Sequence, residues 1–289
     1  MNATEKTIDA KLILSILAAG IMSFSGVVVE TAMNVTFPTL MQEFGIGTST
    51  VQWITTGYLL VLASIIPASS YLKKRFPMKA LFLTAICLFI LGTVMAAAAP
   101  VFPILLTGRL IQGVGTGIAL PLMFNIVLEQ VPEERLGLMM GIASLITAMA
   151  PAVGPSLGGL IVSNWGWRMI FVALLPLLLL SLLFGAFSIR QVTETQKATF
   201  QTGEYLLLVL GFACLIFATS LASGSGWTSA PVLLLFLASL LALALFCRCS
   251  LRAQTPLINL RVFRRGPFTF SVLVLVLIQF VCLGLGFLI

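Results

Sequence analysis

The sequence predicts an all-α integral membrane protein, a helical bundle of about nine transmembrane segments. Three observations carry that prediction. Of 289 residues, 60% are hydrophobic and only 9% are charged, where soluble domains carry about 25% charged residues. The apolar residues fall in runs of about 20, the length that spans a bilayer as helix. No run shows the period-two alternation of a membrane barrel strand.

Nine runs qualify: 12–37, 51–72, 80–99, 104–128, 138–162, 168–189, 205–222, 231–248 and 268–289. Backbone groups in lipid must be satisfied internally, so each is expected to be a helix. The first is too long for a cleaved signal peptide, and a second follows almost at once. The formal charge of +7 does not indicate nucleic acid, because the basic residues sit in short loops between apolar runs. A cytoplasmic N-terminus places 14 of the 16 Lys and Arg inside, as the positive-inside rule requires. The exceptions are Arg109, within a run, and Arg168, at an outer start. Trp53, Trp165, Trp167 and Trp227 are all expected at the outer interface, where an indole sits half in lipid. The expected location is the cytoplasmic membrane, crossed many times, with lipid as the surrounding partner.

The domain pattern is expected to be a six-helix bundle over 1–190, a cytoplasmic linker over 191–204, a two-helix hairpin over 205–248, and a basic loop with a further helix over 249–289. The chain stops at Ile289 within apolar sequence and with no flanking charge, which reads as a truncation. Cys87, Cys214, Cys247, Cys249 and Cys282 are expected to be reduced and inert, and with no His no metal site is predicted. The lack of His, of a phosphate-binding loop and of a paired acidic site argues against an enzyme.

Ionisable groups inside a span are costly and are functional candidates by default. Glu30 lies on a helical stripe of Ser23, Gly26, Glu30, Asn34 and Phe37. It is eight residues inside Pro38, about 12 Å. Burial disfavours a bare carboxylate, so Glu30 is a candidate for proton exchange. The plainer reading is a helix-packing Glu that never titrates. Arg109 lies about 9 Å inside Pro103, with Gln112 and Thr116 continuing its face and four glycines around it. It either needs a counter-charge or cavity or snorkels to the interface. Glu30 and Arg109 have matching depth and are expected to share one polar site. In the fifth run, Ala150, Gly154 and Gly158 form a small-residue face for close packing, while Pro151 and Pro155 permit a bend.

These motifs carry a resemblance. RLIQGVGTG resembles a span-four motif of the major facilitator superfamily. APAVGPSLGG, which includes Pro151, Gly154, Pro155, Gly158 and Gly159, is similar to its antiporter motif. VVVETAMNVTFPTL is similar to the first-span element of the fourteen-span drug:proton antiporters, with Glu30 in place of Asp. The hairpin after six spans and PLINLRVFRRGPF fit that branch, and the likeness is greatest to its lincomycin-resistance type. The second-to-third loop, SSYLKKRFPMKAL, departs from the family in lacking an acidic residue. Its basic residues Lys73, Lys74, Arg75 and Lys79 remain, and are either part of a gate or a topology signal only.

The resemblance implies two six-helix bundles around a central cavity, of which this chain would lack the C-terminal half of the transporter, with alternating access and export of small lipophilic or cationic drugs against inward proton flow. The proton gradient would serve in place of any cofactor. Proton coupling is expected at Glu30 and Arg109, and a substrate cavity at Asn34, Gln112 and Thr116. Other readings are a uniporter or symporter for a small metabolite on the same fold, and an inactive truncated membrane protein.

Overall fold

The computed structural model describes residues 8–191, 195 and 199–285. Lys6, Lys197 and the last four residues of the ninth predicted run lie outside the described residues, as does the side chain of Cys282. The described residues form helices and no strand. In order they are α1 (Ala10–Val35), α2 (Phe37–Phe44), α3 (Thr48–Val51), α4 (Trp53–Arg75), α5 (Met78–Ala97), α6 (Phe102–Gln130), α7 (Glu133–Trp165), α8 (Arg168–Ser188), α9 (Thr202–Ser225), α10 (Ala230–Arg252), a 3₁₀ turn (Leu260–Arg264) and α11 (Gly266–Leu285).

Eight of these segments are long and apolar enough to cross a membrane, with α3 and α4 counted as one. The ninth predicted run corresponds to α11, of 20 residues. The chain is therefore a multi-pass membrane protein.

Helix boundaries follow local chemistry. Asp9 caps α1 by accepting the Leu12 N–H at 2.8 Å, a standard way to satisfy an orphan amide. The first run was expected to reach residue 37. Instead α1 closes at Val35, and Phe37 opens a separate short helix whose first turn holds Pro38. Proline fits a first turn because the amide it lacks would be unsatisfied there. Gly45 ends α2 at φ 63°, a left-handed C-cap that glycine adopts without steric cost. The fifth run extends further than its 138–162 expectation. Glu133 and Glu134 lie in the first turn of α7, where negative charge suits the helix dipole, and α7 continues unbroken through Pro151 and Pro155.

α1 packs on α6, α7 and α8, α5 fills the space between α6 and α8, and α4 lies against α6. The core runs through Met22, Met33, Phe82, Phe89 and Met123, all fully buried. The α9–α10 hairpin joins this group through α9 on α4. Trp53 meets Phe217 at 5.0 Å, and Phe200 bridges Tyr71 and Tyr205. Most of α7 outside its contact with α1 is exposed.

Trp167 corrects an expectation. It is 2% exposed rather than set in the lipid interface. Its indole N–H donates to Glu43 Oε2 at 2.7 Å, and Arg168 donates to Glu43 Oε1 at 2.7 Å and to the Ala99 carbonyl at 2.8 Å. Arg168 also lies over the Trp167 ring. The exception to the charge rule at Arg168 is thus neutralised by a carboxylate on α2. The Trp167 N–H, followed by Arg168, holds the Glu43 carboxyl below its ordinary range, against the opposing effect of burial.

Candidate functional site

The buried polar cluster centres on α6. Its glycines let neighbours approach. A Cβ at Gly108 would meet the Gly92 carbonyl of α5 at 2.8 Å, and one at Gly113 would meet the Tyr58 carbonyl of α4 at 3.0 Å. Two helices, α4 and α5, are thereby drawn onto the stretch that carries Arg109, Gln112 and Thr116, and all three side chains are fully buried.

Arg109 does not snorkel. Its Nη1 donates to Gln112 Oε1 at 2.8 Å, one helical turn along. Gln112 in turn donates through Nε2 to Thr93 Oγ1 on α5 at 2.8 Å, and Thr93 donates to the Phe89 carbonyl at 2.7 Å. Beneath the guanidinium lies the face of Tyr58, 4.2 Å from Cζ to the ring centroid. This cation–π contact partly replaces lost hydration. Arg109 Nε and Nη2 are buried and have no hydrogen-bond partner among the described residues. A buried cation with two unused donors is held at a cost that favours a nearby anion or water.

Tyr58 ties the cluster to α1. Its hydroxyl lies 3.0 Å from the Gly26 carbonyl and 2.9 Å from Thr116 Oγ1; its single proton serves one at a time. Thr116 donates its own proton to the Gln112 carbonyl. Gly26 is needed at this crossing, because a Cβ there would lie 2.6 Å from Thr116.

Glu30, one turn along α1 from Gly26, is half-buried. It interacts electrostatically with Arg109 and with Tyr58, but it forms no hydrogen bond or ion pair with a described residue. Glu30 and Arg109 are therefore within Coulombic range without touching. Asn34 stands apart, exposed near the end of α1, and accepts from Thr55 of α4 at 2.8 Å. Phe37 belongs to α2 and leaves the stripe.

On α7, Gly154 and Gly158 are buried against α1. A Cβ at Gly158 would lie 3.0 Å from Ala32 Cα, Cβ and O, and one at Gly154 would run into Thr31. Gly159 has room, with Val35 4.0 Å away as the nearest atom, and Pro155 is exposed while Pro151 is partly buried.

At the far end of α4, Lys73 forms an ion pair with Glu129 of α6 at 2.5 Å and donates to Asn125 Oδ1 at 3.2 Å. The acid lacking from the second-to-third loop is thus supplied across the bundle by Glu129. Lys74 and Arg75 are exposed. Among the described residues, no group of three or more His, Cys, Asp and Glu could hold a metal. The residues missed by sequence reasoning are Tyr58, Thr93, Glu129 and Glu43. The two glutamates were visible only as charges at span ends, and the other two carried no signal.

A family model described as Major Facilitator Superfamily matches residues 19–289. The chain is 42% identical over 269 residues to Lincomycin resistance protein LmrB of Listeria monocytogenes, covering 93% of this chain and 56% of that protein. It is 38% identical to Lincomycin resistance protein LmrB of Bacillus subtilis, covering 94% and 57%. The chain thus spans little more than half the length of these curated relatives. Among solved structures, a POT family transporter in complex with thioalcohol conjugated peptide aligns with TM-score 0.59 at 15% identity, covering 84% of this chain and 53% of that one.

Proposed function

Because this chain belongs to the Major Facilitator Superfamily, we propose that it is part of a transporter rather than an enzyme, and that it forms the first bundle of a drug exporter. The exporter moves small lipophilic or cationic drugs outward across the cytoplasmic membrane in exchange for protons, by alternating access. The N-terminus is cytoplasmic, and a second bundle closes the cavity over the exposed faces of α1 and α7.

One observation carries this reading. Arg109 is fully buried, with two guanidinium nitrogens that have no hydrogen-bond partner among the described residues, and it interacts electrostatically with the half-buried Glu30 carboxylate, which likewise has no hydrogen-bond partner among them. Such an arrangement holds a charge whose balance changes when a proton or a cation arrives at Glu30. With Glu30 ionised, the pair is neutral overall. With Glu30 protonated or cation-bound, one net positive charge remains in a low-dielectric site. A movement of α1 relative to α6 would alter that energy, and the crossing at Gly26 and Thr116 is where the two helices meet. The resistance named for the relatives supports a drug as cargo.

The test is uphill export from inverted vesicles that contain an exporter carrying this chain, with lincomycin and a lipophilic cation as cargo. Export that collapses when the proton gradient is dissipated supports the reading. Export unaffected by loss of the gradient, or movement of neutral metabolites only, contradicts it.

A further inference from the structure

The segment from Thr202 to Leu285 contains five arginines, Arg248, Arg252, Arg261, Arg264 and Arg265, and a single acid, Glu204. That acid cannot neutralise them. It is 7% exposed, and its Oε2 accepts the Leu257 N–H at 2.9 Å. The connection between α10 and α11 is thereby folded rather than loose. Ser250 donates to the Ile258 carbonyl at 2.6 Å, Asn259 accepts the Arg261 N–H, and Arg261 Nη2 donates to the Leu251 and Ala253 carbonyls at 3.1 Å each. Arg261 is consumed in capping the C-terminal end of α10. The other four arginines are exposed and make no hydrogen bond or ion pair with a described residue.

Their placement is specific. Arg248 and Arg252 are four apart on the last turns of α10 and share a face. Running back along that face are Leu245, Leu241, Leu237 and Leu234, between 43% and 66% exposed. An apolar stripe several turns long therefore ends in two guanidiniums. On the 3₁₀ turn, residues three apart eclipse, so Arg264 stands on the same edge as Arg261, which is fastened to the end of α10. Phe263 and Phe268, exposed and 5.4 Å apart, form an apolar pair beside Arg264 and Arg265.

We infer that the α10 end and the following folded turn form a binding site for an anionic phospholipid. The headgroup phosphate is held by Arg248, Arg252, Arg264 and Arg265, and an acyl chain lies along the leucine stripe. Guanidinium suits a phosphate because its fixed fork donates two parallel hydrogen bonds. The continuity of the apolar stripe with Arg248 and Arg252 on one face of α10 suits a lipid rather than a free anion. The site is independent of the Glu30–Arg109 cluster.

The test titrates the purified chain in neutral detergent with phosphatidylglycerol, phosphatidylcholine and inorganic phosphate, reading bound lipid by native mass spectrometry. Phosphatidylglycerol should bind at least about tenfold more tightly than phosphatidylcholine, a difference of about 1.4 kcal/mol. Inorganic phosphate should not displace it at equal concentration. Replacing all four arginines with Gln should abolish the preference, and Arg248→Gln with Arg252→Gln alone should weaken it while disturbing the fold less. Lys74→Gln with Arg75→Gln, at another basic end, should leave it intact. The inference is overturned if the arginine variants keep the preference, if the Lys74 and Arg75 variant loses as much, or if phosphate competes as strongly as lipid.

Discussion

Gly158→Leu is a direct probe of how α7 is seated. At Gly158 even a methyl group would lie 3.0 Å from three atoms of Ala32, two of them backbone, where ordinary contact begins about 0.4 Å further out. Gly158→Ala therefore requires α7 and α1 to separate by a few tenths of an ångström. Gly158→Leu adds three further carbons at the same contact and cannot be absorbed by a rotamer change in Ala32. Overpacking of this kind costs about 1–3 kcal/mol, with Leu at the upper end. Gly159→Leu is the internal control, because its nearest neighbour is 4.0 Å away. The assay is thermal unfolding in detergent together with membrane yield. The expected order is wild type and Gly159→Leu close together, Gly158→Ala lower, and Gly158→Leu lowest by several degrees. Membrane insertion should persist because the new side chain is apolar. Equal effects at 158 and 159 would refute the argument that α7 is seated by its small-residue face. Ala32 lies two residues beyond Glu30, so Gly158→Leu should also impair export.

Other expectations follow from the buried contacts. Glu43→Gln should loosen the Trp167 and Arg168 clamp. Because the folded Glu43 carboxyl lies below its ordinary value, the stability it contributes is present above the unfolded value and is lost as pH falls through the folded one. Unfolding midpoints should therefore differ between wild type and Glu43→Gln at neutral pH and converge in acid. Unchanged separation across that range would remove Glu43 from the clamp. Tyr58→Phe keeps the ring beneath Arg109 but loses the tie to Gly26 and Thr116, so it should retain more export than Tyr58→Leu, which loses both. Equal loss in the two variants would show that the cation–π contact contributes nothing.

The spans were legible because a bilayer-length apolar run has few alternatives, and Glu30 and Arg109 stood out as charges within such runs. Their surroundings were less legible. A tyrosine in an apolar span reads as packing, and nothing in Tyr58 specifies partners 32 and 58 residues away. Trp167 was misread because a tryptophan beside a span start resembles an interface anchor. Its buried state depends on Glu43, 124 residues earlier. The break at Thr36 was also hidden, since Pro38 signals a helix's first turn as readily as a span's exit. The ionic contact of Lys73 with Glu129 illustrates the same limit: its acid lies on another helix rather than in the loop where the motif would place it.

The most direct measurement of the central claim is drug-induced proton release from proteoliposomes that contain an exporter carrying this chain, compared for wild type and Glu30→Gln across pH. Gln keeps the size of the side chain but carries no titrating proton. The account predicts that wild type releases protons when a cationic drug binds, that Glu30→Gln releases none, and that uphill export is lost while some downhill movement of neutral drug persists. Wild-type proton release and undiminished uphill export in Glu30→Gln would contradict it, and would return Glu30 to a role in helix packing.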